Sequence, residues 1–234
     1  MRAVDVFIAP SRFLREQYLH FGFDAEKIIF LRHGFAQQEC AGIPKRPSPY
    51  PRFAFIGSPR EYKGIYTLID AFNLITRPCE LRIYGALSPR MLQELSARSK
   101  NPNMHCMGML AEEDKKNAFA DIDVLIVPSL CYENCPLVIH EAFMAKIPVI
   151  VTAHGGMAEL VRDGVNGCTF PAGSPEGLAA KMQLFLDDPG LRDRLAENIP
   201  EVKDMNIHAR ELRDIYTRVL QKKTDRPHAG RSKQ

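Results

Sequence analysis

Short apolar runs alternate with one-sided amphipathic stretches along most of this chain, and that alternation predicts strands followed by helices. Strands are expected at residues 4–9, 28–31, 52–56, 80–84, 104–107, 122–129, 149–152 and 167–170. Helices are expected at 13–21, 65–75, 89–99, 112–120, 136–145, 157–161, 176–186 and 189–198. Ser11 suits the N-cap of the first helix and Gly22 its stop. A last helix at 207–220 carries apolar residues at 212, 215, 216, 219 and 220, a one-sided stripe. Strands alternating with helices predict an α/β fold with a doubly wound, Rossmann-like parallel sheet.

Between residues 37 and 52 the pattern breaks into polar positions and four prolines, Pro44, Pro47, Pro49 and Pro51, which reads as a linker. After Gln221 apolar positions lose their period and Lys222, Lys223, Arg226, Arg231 and Lys233 crowd together, which predicts a disordered basic tail. The expected organisation is therefore a small unit at 1–34, a linker at 35–52, a main domain at 53–205, a helix at 206–220 and a tail at 221–234.

Composition narrows the class only modestly. The 234 residues are 45% hydrophobic and 25% charged, ordinary for a globular protein, and a net charge of +3 gives no reason to expect nucleic acid. No run approaches the ~20 apolar residues of a membrane span, and residues 1–5 lack a signal-peptide core, so any membrane contact is expected to be peripheral. The six cysteines show neither CxxC nor finger spacing, which points to reduced thiols in a cytoplasmic protein and no metal.

The candidate chemistry lies in two strand-to-helix turns. In the first, Phe53-Ala-Phe-Ile-Gly57-Ser58-Pro-Arg60-Glu-Tyr-Lys63-Gly64 joins a strand, a glycine turn and cations before a helix, the parts a phosphate-binding turn needs. In the second, Glu133-Asn134-Cys135-Pro136-Leu137-Val-Ile-His140-Glu141 sets two carboxylates with seven residues between them around a proline suited to the first helical position. The amides at 134–137 would then meet an anion at the positive end of the helix dipole. Glu141 would lie about 7 Å along the axis from the mouth, at ~1.5 Å per residue. Taken alone, the second pattern also arises by chance, and Lys63 alone reads more readily as a solvated helix-flanking lysine than as a phosphate ligand. His140 and His154 read as structural histidines, and Asp121-Ile-Asp123 as a structural echo of a metal-binding DxD, because Asp123 opens a buried strand.

Together these segments resemble the GT-B fold retaining glycosyltransferases of family 4, the glycosyl transferases group 1, in their C-terminal donor-binding domain. Glu133 to Glu141 is similar to that family's E-x7-E signature, and Gly57, Lys63 and Gly64 to its phosphate turn, where Ser58 replaces the usual arginine and Arg60 stands two residues on. Cys106-Met-Gly108-Met109-Leu110 resembles the loop whose backbone meets the nucleotide base, and the glycine-rich run from Gly155 to Gly167 the turn after the Pro-Val-Ile strand. Residues 9–13 and 27–34 look like the end of the N-terminal acceptor domain and the hinge. The resemblance implies a donor that is a UDP-, GDP- or ADP-sugar, a glycan or lipid-linked acceptor, no cofactor, and work in polysaccharide assembly at or near the cytoplasmic face of a membrane. In its terms Glu133, Lys63 and Arg60 are catalytic. Gly57, Ser58, Gly108, Met109, Leu110, Asn134, Cys135, Pro136, Leu137 and Glu141 bind donor. Alternatives are a subunit of a split glycosyltransferase whose acceptor domain is a separate chain, a non-catalytic nucleotide-sugar binding module and, more remotely, a sugar epimerase of the same fold.

Overall fold

The computed structural model describes residues 4–36 and 40–224. Two compact units emerge: residues 37–202 form one, and the segments before and after them form the other.

The smaller unit joins both ends of the described chain. Strand β1 (Phe7–Ala9) pairs in parallel with β2 (Ile28–Phe30) through helix α1 (Arg12–His20). Ser11 caps α1 as its sequence suggests, accepting from the Leu14 amide at 3.1 Å. Helix α9 (Met205–Thr224) is tied back to this segment. The Phe35 amide donates to the Lys203 carbonyl, the Met205 amide to the Phe35 carbonyl, and Lys223 pairs with Asp5 at 2.8 Å. Gln221–Thr224, read from sequence as the start of a disordered tail, instead completes α9. Lys222 and Lys223 sit in its last turn, where cations complement the negative end of the helix dipole. The remainder of the expected tail, 225–234, lies outside the described residues.

The larger unit is a six-stranded, all-parallel sheet in the order β5-β4-β3-β6-β7-β8. The strands are β3 (Arg52–Ile56), β4 (Glu80–Tyr84), β5 (Met104–Gly108), β6 (Val124–Val127), β7 (Val149–Thr152) and β8 (Gly167–Phe170). Helices α2 (Ile65–Asn73), α3 (Pro89–Arg98), α4 (Lys115–Ala120), α5 (Leu137–Met144), α6 (Gly155–Leu160), α7 (Pro175–Asp187) and α8 (Leu191–Glu197) connect and flank them. β6 and β7 are buried at every position, which is why they read as continuous apolar runs. Leu68, Ile69 and Phe72 of α2 and Leu178, Met182 and Phe185 of α7 cover β3 in one core, each fully or nearly fully buried. Each such side chain contributes about 1.5–3 kcal/mol of burial. Ser88 and Ser174 cap α3 and α7 with proline at the first helical position, so α3 starts at the expected residue and α7 one residue before it.

Several boundaries differ from expectation. The strand at 4–9 shortens to β1, because Val4 is exposed and unpaired with a sheet neighbour. The strand at 122–129 shrinks to β6, with Asp123 turned into an ion pair before it. The helix at 112–120 splits into a 3-10 turn at Glu112–Asp114 and α4. Pro136 is the N-cap of α5, with extended backbone (φ −62°, ψ 114°), and the first helical residue is Leu137. Its carbonyl thereby accepts from the Ile139 amide at 3.2 Å.

Strand order reverses between β3 and β6. β4 and β5 lie on one side of that boundary and β6, β7 and β8 on the other. In open parallel sheets, ligands bind outside the carboxyl ends of the strands at such a switch point. The opposite end of the same strand pair is locked by charge. Asp123, just before β6, accepts from the Arg52 backbone amide and Nε at 2.9 Å each and from Nη2 at 3.1 Å, while Arg192 donates to it at 3.2 Å. Burial pushes the Asp123 carboxyl up, but the Arg52 hydrogen bonds outweigh it and hold the carboxyl below its ordinary value. The segment read as a linker is fastened beside this lock. Lys45 donates to the Phe119 and Ile122 carbonyls at 2.7 Å each, and Arg46 pairs with Asp121 at 2.9 Å. Burial draws the Lys45 ammonium down to about 7.

Candidate functional site

The turns that leave β3 and β6 meet at the switch point. After β3 the chain passes Gly57, Ser58 and Arg60 into a 3-10 turn at Glu61–Lys63, and Gly64 then opens α2 in a left-handed conformation (φ 73°). After β6 it passes Pro128 and Ser129 to Glu133. The Tyr62 carbonyl accepts from the amides of Leu130 (2.9 Å) and Cys131 (3.2 Å), joining the two turns through backbone. Gly64 permits the approach, since a Cβ there would lie 1.8 Å from the Pro128 oxygen.

That approach brings Lys63 onto Glu133. The lysine ammonium donates to Glu133 Oε1, which also accepts from Ser129 Oγ at 2.8 Å and has Cys131 Sγ at 3.8 Å. Both charged groups are half-buried, so their attraction is less screened than that of a surface pair. Burial first, and then the neighbouring Glu133 charge, push the Cys131 thiol up, so it stays protonated and acts as a weak donor. Neither Ser129 nor Cys131 was anticipated as part of the site. The available signal was a polar residue two positions after a buried strand and four before the glutamate.

A third turn braces the loop from below. The Gly156 amide, at the start of α6, donates to the Glu133 carbonyl at 2.7 Å, and a Cβ on Gly156 would lie 1.8 Å from the Asn134 oxygen. His154 Nε2 meets the Ser129 carbonyl at 3.0 Å, which requires the proton on that nitrogen, and its ring lies 4.9 Å from Tyr132. His140 is buried, with Nε2 3.3 Å from Cys135 Sγ. Both histidines thus hold the loop, in keeping with a structural reading.

Helix α5 begins directly after this loop with no side-chain cap. Its first amides, at Leu137 and Val138, have no intrahelical partner by helix geometry, and with the dipole they offer a positive end to an anion. Glu141, on the next turn, pairs with Lys115 at 2.8 Å, and Lys115 also reaches Glu112 at 2.8 Å. Burial opposes the Lys115 charge, but the two carboxylates outweigh it and raise its pKa above the ordinary lysine value. Lys115 was not foreseen, because 26 positions separate it from Glu141 and nothing local marks the pair.

The remaining expected residues are placed as follows. The Gly57 amide donates to the Tyr84 carbonyl, Ser58 and Arg60 are exposed, and Arg60 makes no ion pair among the described residues. The Gly108 carbonyl accepts from the Gly85 amide at 2.8 Å, and Met109 beyond it is 79% exposed, with Leu110 half-buried. Asp121 and Asp123 are both engaged by arginines, so the DxD-like pair serves the far end of the sheet. Among the described residues no group of three or more His, Cys, Asp or Glu could hold a metal ion, and no helix is long and apolar enough to cross a membrane.

Known proteins resemble this chain in sequence and in fold. The chain is 26% identical over 191 residues to alpha-D-kanosaminyltransferase of Streptomyces kanamyceticus, covering 78% of this chain and 48% of that one. It is 30% identical over 167 residues to a D-inositol 3-phosphate glycosyltransferase of Xylanimonas cellulosilytica, covering 69% and 39%. It thus spans about half the length or less of these relatives. The crystal structure of Anabaena HepE in complex with UDP and glucose superposes with a TM-score of 0.80 at 20% identity, covering 91% of this chain and 63% of that one. The fold is accordingly that of the C-terminal half of a GT-B glycosyltransferase. Residues 50–188, which hold the sheet and both glutamates, match the model of the glycosyl transferases group 1, and the chain belongs to that family.

Proposed function

We propose that residues 53–205 are the donor-binding domain of a retaining glycosyltransferase that moves a sugar from a nucleoside diphosphate to a glycan or lipid-linked acceptor. The observation that carries the reading is the Lys63–Glu133 ion pair at the switch point, beside the open N-terminus of α5. In this reading the donor diphosphate lies between Lys63 and the first amides of α5. The lysine has three protons and spends one on Glu133, so two remain for phosphate oxygens. As the bond from the sugar to the diphosphate breaks, its electron pair leaves on phosphate, and Lys63 and the helix dipole offset the growing charge. Glu133 accepts from sugar hydroxyls, Glu141 from the ribose, and the backbone around Gly108 to Leu110 meets the base. These cations and amides make a metal ion unnecessary. HepE was crystallised with UDP and glucose, which makes UDP the first nucleotide to try. We place the activity in the cytoplasm, with at most peripheral contact to a membrane.

Calorimetric titration with UDP, GDP and ADP and then their sugar conjugates tests this. Binding of one nucleotide, weakened in Lys63→Ala and Glu141→Ala, is expected. Failure of the folded protein to bind any of them would reduce the reading to a fold. The alternative of a non-catalytic binding module draws on Ser58, which stands exposed where the family places a cation, and on Arg60, which forms no ion pair among the described residues. Turnover on adding an acceptor-domain chain would exclude that module.

A further inference from the structure

We propose that Lys115 is a positioning residue that orients the Glu141 carboxylate, and that this makes the site select ribonucleotides over 2′-deoxyribonucleotides. The inference rests on the donor-binding reading above and extends it to a residue outside the two motifs. A vicinal diol presents two O–H donors a short distance apart. A partner that accepts from both must be ionised and fixed in rotation, because a carboxylate supplies lone pairs in only a few directions. Glu141 is placed for this on α5, one turn beyond the open amides, but the terminal torsion of a glutamate is broad, so the side chain alone does not fix how its carboxylate faces.

Lys115 supplies the constraint. Its Nζ donates to Glu141 Oε1 at 2.8 Å, and both side chains are over four-fifths buried, so water competes little for the bond. The same ammonium holds Glu112 Oε2 at 2.8 Å, so the lysine is itself anchored from a second side. With Oε1 engaged, the carboxylate cannot spin, and its remaining lone pairs face a defined direction. The bridge has a second consequence. Glu112 follows Leu110 by two residues, so the triad ties the 108–110 loop to the helix that carries Glu141. Base and sugar contacts of a nucleoside would then be held at fixed separation. The raised Lys115 pKa keeps the bridge charged across the neutral range.

The test titrates the chain with UDP, GDP and ADP, and then with the 2′-deoxy form of whichever binds most tightly. Wild type, Lys115→Met, Lys115→Arg and Glu141→Gln are compared. Wild type should prefer the ribonucleotide by about tenfold or more, the value of a lost hydrogen bond to a charged acceptor. Lys115→Met should lose most of that preference, because it weakens the ribonucleotide, which gives Glu141 two hydroxyls, more than the deoxynucleotide, which gives it one, and the deoxynucleotide binding that remains certifies that the site is folded. Glu141→Gln should behave likewise, and Lys115→Arg should restore most of the preference. Lys115→Met weakening both nucleotides equally, or keeping the full preference, would overturn the proposal. Nucleotide binding by wild type without ribose preference would overturn it too, while leaving the donor-binding reading standing. No nucleotide binding at all would end both.

Discussion

Gly64→Ala probes how the two turns are brought together. The left-handed backbone at Gly64 (φ 73°) costs an alanine about 1–2 kcal/mol. The added Cβ would stand 1.8 Å from the Pro128 oxygen, while real Cβ contacts keep at least 3.0 Å, so the turns must part by 3.0 − 1.8 = 1.2 Å. Forcing extra volume into a packed contact costs a further ~1–3 kcal/mol. The sum, about 2–5 kcal/mol, lowers Tm by roughly 5–15 °C for a domain of this size. Gly173→Ala is the control. Gly173 has nearly the same backbone (φ 70°), but its Cβ would meet only Leu130 Cδ2 at 3.7 Å, so it carries the backbone cost alone. Opening the turns also pulls Lys63 from Glu133, and nucleotide affinity should fall by roughly 10- to 100-fold in Gly64→Ala alone. Thermal melting and calorimetry on both variants decide it. Equal melting temperatures with wild-type nucleotide affinity in Gly64→Ala would refute the argument that this contact assembles the site.

Two further predictions concern the far end of the sheet. The folded protein gives up the Lys45 proton near pH 7 and the unfolded chain near 10.5, so between those values the unfolded state binds more protons. The Lys45 contribution to stability therefore rises with pH, by up to about 1.4 kcal/mol per unit. Urea midpoints of wild type and Lys45→Met at pH 6 to 9 should diverge in favour of wild type above pH 7, and parallel curves would contradict it. Asp123→Ala leaves Arg52 buried without its main partner and should cost about 3–5 kcal/mol in urea unfolding. A loss below about 1 kcal/mol would show that Asp121 and the Arg46 carbonyl suffice to hold Arg52.

Much of the architecture was legible in one dimension because its signals are local. Continuous apolar runs marked β6 and β7, Ser11 marked the start of α1, and the strand–helix alternation named the sheet before any pairing was known. Errors gathered where local preference competes with a neighbour. Pro136 would be equally at home one position later in the helix frame, and only its observed ψ of 114° makes it the cap. Gln221 to Thr224 are polar enough to read as tail, yet the helix runs on through them and Lys223 meets Asp5, 218 positions away.

The sequence by itself set Lys63 beside a glycine turn and Glu133 and Glu141 around a proline at a helix start, and so it offered all three as candidates. Their partners were decided only by tertiary structure. Lys63 and Glu133 are 70 positions apart, and they meet because strand order reverses between β3 and β6, which places the two carboxyl ends side by side. Lys115 and Glu141 meet because Lys115 opens α4, which follows β5, and Glu141 lies in α5, which follows β6, so both come from connections at the carboxyl end of the parallel sheet. Sheet order is a long-range property, set by which apolar faces pack best, and no window along the chain contains it.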